Sequence, residues 1–229
     1  MGVGSTIALV LLAVLGGAFL WYAATVPSSR VFGSPLVQGP AHSNYIALTF
    51  DDGPSVPYTG QILDLLGERS VKATFFVCGQ NVELHPELAR RIVAEGHSIG
   101  NHTYSHPFLY LLGPRAMSEE IDRTQSIIEK ATAVRPKLFR PPYGIRWFGL
   151  SRILRERGLA LVQWSATGYD WKNRREEIIA AALAGLQPGA ILLLHDIHAE
   201  TVAALPKILE GVEAAGLEPA ELSKLAVRE

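Results

Sequence analysis

Cysteine is nearly absent: Cys78 is the only one among 229 residues. That excludes an intramolecular disulfide and any cysteine-rich zinc site, and it leaves the redox compartment unreadable, because one thiol suits either side of a membrane. A charge excess is absent too. Twenty-one Lys+Arg stand against 22 Asp+Glu, a net charge of -1, which argues against a general polyanion binder and so against a nucleic-acid partner. No internal repeat is visible. No charged side chain precedes Arg30 either.

What fills that uncharged stretch is an apolar run, Ile7 to Val26. At about 1.5 Å per residue it would reach roughly 30 Å, the thickness of a bilayer core. Trp21 and Tyr22 stand near its end, where amphipathic aromatics favour the headgroup level. The run therefore predicts a transmembrane helix over residues 1–26, with membrane contact through residues 7–26. A cleaved secretory signal is the competing reading and a buried core helix the third. Against cleavage, no Lys or Arg comes first and the cut would fall beside Trp21 or Tyr22. Arg30, the only nearby charge, would draw its own side towards the cytoplasm, against the extracytoplasmic catalytic domain expected below.

Residues 27–43 are rich in Pro, Gly and Ser without periodicity and predict a linker. From Asn44 onward, short apolar runs alternate with longer amphipathic ones. Strands are predicted at Tyr45–Phe50, Ala73–Val77, Gly96–Asn101, Lys137–Arg140, Ala160–Trp164 and Ala190–Leu194. Helices are predicted near Thr59–Glu68, His85–Glu95, Ser118–Ala131, Gly149–Arg157, Arg174–Leu186 and Thr201–Ala215. Such alternation argues for an α/β domain with a parallel sheet over residues 44–229, a barrel or a doubly wound sheet fitting equally well. Gly216–Ala220 makes a poor last strand because of Pro219, which puts barrel closure in doubt.

Polar residues cluster where these strands end, the reactive face of α/β folds. Asp51-Asp52, His102 with His106, Arg140, Asp170 and His195-Asp196 all share that phase, which argues for one common site. His102 and His106 have the i, i+4 spacing of one side of a helical turn; alone they could be two solvated loop histidines. Asp51-Asp52 changes this, because adjacent side chains on an extended backbone diverge. One carboxylate can face a metal while the other faces substrate. His195 could be a structural histidine; with Asp170 to orient it, a general acid is the sharper reading.

The segments Thr49–Pro54 (TFDDGP), His102–His106 (HTYSH), Arg140–Gly144 (RPPYG), Asp170-Trp171 and Leu192–Asp196 (LLLHD) resemble, in order, the motifs of the NodB-type polysaccharide deacetylases, carbohydrate esterase family 4. The resemblance covers roughly Tyr45 to Leu225. It implies a distorted, incomplete (β/α) barrel, preceded here by the hydrophobic helix, and hydrolysis of acetyl groups on N-acetylglucosamine units of a peptidoglycan or chitin-like glycan. It implies a divalent metal, Zn²⁺ first and Co²⁺ or Ni²⁺ as alternatives, on Asp52, His102 and His106. Asp51 would be the base held by Arg140, and His195 the acid oriented by Asp170. The backbone N–H of Tyr143 would face the oxyanion, and Leu193 and Trp171 would wall an acetyl pocket. Where many members carry an Asp near position 167 this chain has Thr167. His97 and His198 read as supporting residues rather than ligands, and His42 and His85 as surface. The alternatives are an O-acetyl esterase on acetylated xylan, metal-independent relatives that open cyclic amides (disfavoured by the intact triad), and a catalytically silent glycan-binding module. The expected location is extracytoplasmic, membrane-anchored or, after cleavage, secreted; oligomeric state is not readable from the sequence.

Overall fold

The computed structural model describes residues 3–225. Its central strands are β1 (Tyr45–Asp51), β2 (Thr74–Val77), β3 (Ser98–Asn101), β4 (Leu138–Phe139), β5 (Ala160–Leu161), β6 (Ala166–Thr167), β7 (Ile191–His195) and β8 (Glu218–Pro219). They run in the order β5-β4-β3-β2-β1-β7-β6, with β8 beside the start of β1. Every pairing between these strands is parallel. Parallel strands need both faces covered, which is why β1, β2 and β7 are almost wholly buried.

The two faces of these strands do different things. Ile46, Leu48 and Phe50 of β1 and Leu192 and Leu194 of β7 point outward, into one core with Ile62, Leu63 and Leu66 of α2 (Tyr58–Glu68) and Ile208 and Leu209 of α8 (Ala199–Ala214). Ala47 and Ile191 point inward and meet Phe76, Val162, Leu222 and Leu225 in the barrel interior. Because a strand alternates with period two, the inward row of β1 continues through Thr49 to Asp51, and that of β7 through Leu193 to His195. The register then sets Asp51 directly opposite His195. The strand pattern alone therefore delivers a carboxylate and an imidazole, side by side, to one end of the barrel.

The barrel is open between β5 and β6, the two ends of the strand order. Residues from the expected linker reach into that region. Leu36 bridges Val162 and Gln38 bridges Ala190, with Leu36 N–H to Leu161 O and Gln163 N–H to Leu36 O both at 2.8 Å. Pro219 does sit in a strand. The flanking N–H groups of Glu218 and Ala220 donate to Asn44 O and Ile46 O, at 2.9 and 2.8 Å, so the proline occupies the position that needs no donor.

The expected membrane span is overturned. The helix α1 (Val3–Thr25) is present, but among the described residues no helix is long and apolar enough to cross a membrane. The transmembrane reading falls with it, and membrane contact through residues 7–26 is left without support. The physical reason lies in the last turn, which belongs to the domain. Ala23 and Ala24 are buried with Phe32 against Ile145 and Trp147. The buried Arg146 aims its guanidinium at the helix end, donating to Ser29 O at 2.7 Å and Pro27 O at 3.1 Å, and also to Val26 O, Ala23 O and Ala24 O. From Ile7 to Tyr22 only about 24 Å of helix is left, short of the roughly 30 Å hydrocarbon core.

A cation over the last carbonyls of a helix is favourable twice, as a donor and against the negative end of the helix dipole. Arg146→Met is expected to destabilise the protein by about 2–4 kcal/mol, since it strands several carbonyl groups at once. A lowered Tm with earlier proteolytic cleavage between Tyr22 and Arg30 is the measurement that checks this.

Candidate active site

Ten residues were singled out by the sequence, and eight of them line one cavity of about 380 Å³: Asp51, Asp52, His102, His106, Tyr143, Trp171, Leu193 and His195. The other two, Arg140 and Asp170, stand behind Asp51 and His195. A larger hollow of about 1000 Å³ lies elsewhere, lined by residues such as Arg30, Leu36 and Leu159, and holds none of these groups.

Asp51 ends β1. Its Oδ1 accepts from Arg140 Nη1 at 2.7 Å. The same nitrogen donates to Thr49 Oγ1 at 2.9 Å, and Nη2 to Gln163 O at 3.0 Å. The guanidinium is wholly buried and lies over the Phe76 ring at 4.2 Å. Burial pulls the Arg140 pKa down while Asp51 counters it. An arginine held this way fixes the carboxylate rather than exchanging protons with it.

Asp52 leaves the strand with φ 77°, so its carboxylate swings away from that of Asp51. Its Oδ1 lies 3.2 Å from His102 Nε2 and 3.1 Å from His106 Nε2. Burial opposes ionisation of Asp52, but the two histidines outweigh it and hold the carboxyl well below the usual range. His102, fully buried, would be pulled down by burial, yet Asp51 and Asp52 raise its pKa. His102 Nδ1 donates to Arg140 O at 2.7 Å, which reserves Nε2 as the electron-pair donor facing Asp52.

These three residues could hold a metal ion: one ligand atom from each falls within 4.8 Å of the others. The fit has a second mark. Asp52 Oδ1 is buried without a hydrogen-bond partner, a polar atom that a cation would satisfy. Two imidazoles and a carboxylate, with no thiolate, suit a borderline divalent ion in an open site.

The histidines converge for a reason other than the expected one. Residues 102–106 form a loop rather than a helical turn, with Thr103 at φ 67° and His106 at φ 57°. The loop is pinned from below, where Asn101 Oδ1 accepts from Thr103 N–H at 2.9 Å, and from the side, where Glu120 accepts from the N–H groups of Tyr104 and Ser105.

Across the cavity, His195 Nδ1 donates to Asp170 Oδ1 at 2.8 Å, and Asp170 Oδ2 accepts from His195 N–H and Thr201 Oγ1, each at 2.6 Å. Burial would lower the imidazole pKa, but Asp170 overrides it and lifts the value to about 9. Trp171 stands edge-to-face on His195 with ring centroids 5.4 Å apart.

Tyr143 sits at φ 57° on a tight turn, Pro142–Gly144, its ring 4.5 Å from that of His106. Gly144, at φ 67°, is required twice over: a Cβ there would lie 2.4 Å from the Trp164 ring. Gln163 Nε2 donates to Gly144 O at 2.7 Å and holds the turn.

The sequence reading missed Trp164 and Gly144 as cavity walls, and it gave His198, which also lines the cavity, only a supporting role. It missed Thr201, Gln163 and Thr49 as hydrogen-bond supports. Thr49 stood inside a quoted motif and was within reach; Gln163 and Thr201 carry no local signal. Asp196, beside His195, turns away to Thr59 Oγ1, and burial raises its pKa to about 7. His97 is structural, its Nδ1 accepting from Ala73 N–H at 3.2 Å, and burial lowers its pKa to about 4.

A partly open parallel barrel with an Asp-His-His cluster at one end, flanked by a clamped carboxylate and a clamped imidazole, defines the class of incomplete (β/α) barrels with a site fit for a metal. The chain belongs to the polysaccharide deacetylase family, whose pattern matches residues 38–162. It is 40% identical over 181 residues to a peptidoglycan-N-acetylglucosamine deacetylase of Listeria monocytogenes, covering 79% of this chain and 38% of the relative. It is 43% identical over 166 residues to a chitooligosaccharide deacetylase of Rhizobium leguminosarum bv. trifolii, covering 71% of this chain and 76% of the relative. Among solved structures, the Bc1960 peptidoglycan N-acetylglucosamine deacetylase, in complex with 4-naphthalen-1-yl-N-oxidanyl-benzamide, superimposes with a TM-score of 0.79 at 36% identity, covering 82% of this chain and 91% of that one. The chain thus spans under two fifths of the length of the Listeria relative.

Proposed function

We propose that this chain is a metal-dependent N-deacetylase acting on N-acetylglucosamine units of a glycan, peptidoglycan first and a chitin-like chain second. The observation that carries the reading is the pairing of Asp51 with His195 on adjacent strands, each clamped from behind by a residue of opposite charge, beside the Asp52, His102 and His106 cluster. The names of the relatives support the substrate class. Asp52, His102 and His106 would hold a divalent ion, most simply Zn²⁺ with Co²⁺ or Ni²⁺ as alternatives, which would act as a Lewis acid towards the acetyl carbonyl and nearby water.

The chain's own residues do the rest. Asp51 takes the proton of the attacking water, its orientation fixed by Arg140. The backbone N–H of Tyr143 is assigned to the developing oxyanion, and Leu193 and Trp171 wall the acetyl methyl. His195, with its pKa near 9, carries a proton at neutral pH and delivers it to the departing nitrogen. The amide C–N bond breaks, leaving acetate and the sugar amine. An acid and a base in opposite protonation states across one cavity is what this reaction demands.

The catalytic unit is proposed as residues 44–229, with 27–43 leading into it, and its location as extracytoplasmic, where such a glycan lies. Acetate release from chitooligosaccharides, peptidoglycan and acetylated xylan, with and without EDTA, tests the reading. Release from both amide substrates, abolished by EDTA and restored by Zn²⁺, is expected. Release only from acetylated xylan makes the chain an esterase, release that survives chelation removes the metal, and no release leaves a glycan-binding module.

A further inference from the structure

We infer that Asp196 is a positioning residue: its buried carboxyl holds the turn that carries Asp52, and so sets how tightly Asp52, His102 and His106 bind a divalent ion. The inference rests on the metal reading of that cluster. It gives a task to a buried acid that the reaction itself leaves unused.

Asp196 follows His195 at the end of β7 and is 1% exposed. Burying a carboxyl is costly unless its oxygens are engaged. Oδ2 accepts from Thr59 Oγ1 at 2.5 Å. The Thr59 oxygen in turn accepts from Ser55 N–H at 2.7 Å, and Ser55 Oγ donates to Asp196 O at 2.5 Å. These three bonds close a ring between Asp196, Ser55 and Thr59. On the other side of Asp52 in the chain, Asp196 N–H donates to Asp51 O at 3.3 Å. The end of β7 therefore grips the chain both before and after the proposed ligand.

The fit is closest at Gly53, directly after Asp52. A Cβ there would overlap the Asp196 carboxyl, so the main chain passes the acid at a distance only glycine permits. Residues 78–81 hold the turn from the opposite side: Cys78 N–H donates to Gly53 O at 2.9 Å and Asn81 Nδ2 to Asp52 O at 2.7 Å. Between the two grips Asp52 takes φ 77°, a left-handed backbone that a non-glycine residue keeps only where its surroundings impose it. That backbone brings Asp52 Oδ1 to 3.2 Å from His102 Nε2 and 3.1 Å from His106 Nε2. Asp196 thus acts on the metal through the main chain, without touching it. Loosening the grip lets Asp52 relax, while both histidines stay on their own loop.

Position and charge can be separated. Asp196 Oδ1 has no hydrogen-bond partner, so an asparagine can offer its carbonyl oxygen to Thr59 and turn its N–H₂ to the place of Oδ1 without meeting a donor.

The test is the Zn²⁺ affinity of the full-length apoprotein, measured by competition with a chromophoric chelator, which needs no turnover. Asp196→Ala is expected to raise the Kd for Zn²⁺ by about 10–100-fold, the range for losing a residue that orients a metal ligand. Thr59→Val, which removes the hydroxyl between acid and turn, weakens binding in the same direction, and Asp196→Asn keeps most of the wild-type affinity. Arg146→Met, destabilised at a different place, keeps all of it. Circular dichroism melts establish that the variants fold, and Thr59→Val serves if Asp196→Ala does not. Wild-type affinity in folded Asp196→Ala overturns the inference. A loss in Asp196→Asn as large as that in Asp196→Ala also overturns it, because the charge rather than the hydrogen bond would then be the cause. Zn²⁺ binding that follows the expected order in a protein releasing no acetate supports the inference while removing the deacetylase reading. A wild-type protein that binds no Zn²⁺ overturns it together with the metal reading.

Discussion

Asp51→Asn is expected to lower kcat by about 10²–10⁴-fold, the range for loss of a positioned general base, while the purified protein keeps its divalent metal. The amide still offers an oxygen to Arg140 Nη1, now 2.7 Å from Asp51 Oδ1, so the geometry survives while the proton acceptor is lost. The buried Arg140 loses its countercharge, and some stability goes with it. His102→Ala behaves oppositely: it removes one of the clustered ligand atoms, and metal content falls together with activity. Elemental analysis beside acetate release separates the two. Asp51 Oδ2 lies 3.8 Å from His102 Nε2, so a loss of metal in Asp51→Asn would move that residue from base to ligand. Retained turnover would place the base elsewhere.

Asp170→Asn is expected to shift the alkaline limb of the pH–rate profile from about 9 down towards 6.5 or lower, costing more than tenfold in rate at pH 8. The direction follows from the forces on His195. Burial pulls its pKa down, and the Asp170 carboxylate at 2.8 Å, ahead of the more distant Asp51 and Asp52, lifts it to about 9. An asparagine also turns an N–H₂ towards one of the donors that now share the two oxygens, His195 N–H, His195 Nδ1 and Thr201 Oγ1. The same shift is linked to stability. A folded pKa raised above the ordinary histidine value of about 6.5 contributes roughly 3 kcal/mol that is fully present below pH 6.5 and is lost as pH rises through 9. Wild-type Tm should fall over that interval and that of Asp170→Asn should not. An alkaline limb that stays near 9 in the variant would remove His195 as the acid.

Much of the domain could be read from periodicity, and the departures have definite causes. Tyr45–Phe50 and Ala190–Leu194 were legible as strands because a buried parallel strand is apolar on both faces. The predicted strand Ala160–Trp164 shortens to β5, because residues 162–165 carry the chain across the opening of the barrel to β6, a strand beyond the predicted one. The helix predicted from Ser118 is α5 (Pro114–Thr132); Pro114 in its first turn, a position that needs no N–H, was the better start signal. The short helix α3 (Gly79–Leu84) was missed, being too brief to show a period. Ile7–Val26 misled because hydropathy counts residues and cannot register that the last turn is docked on Arg146.

The order of chemistry along the chain was determined by the sequence alone: which strands end in Asp51-Asp52, His102, Arg140 and His195, and hence which groups reach one face. Period-two alternation needs no tertiary information. What only the tertiary structure decided is how those groups divide their work. Asp51 and Asp52 are chemically identical neighbours, and the left-handed backbone at Asp52, together with a guanidinium from a strand nearly ninety residues away, separates the clamped carboxylate from the one facing two imidazoles. The same holds for His195, whose imidazole is clamped by a carboxylate 25 residues distant. Long-range contacts assign these roles, because hydrogen bonds and desolvation act across space, and local sequence carries no record of the partner.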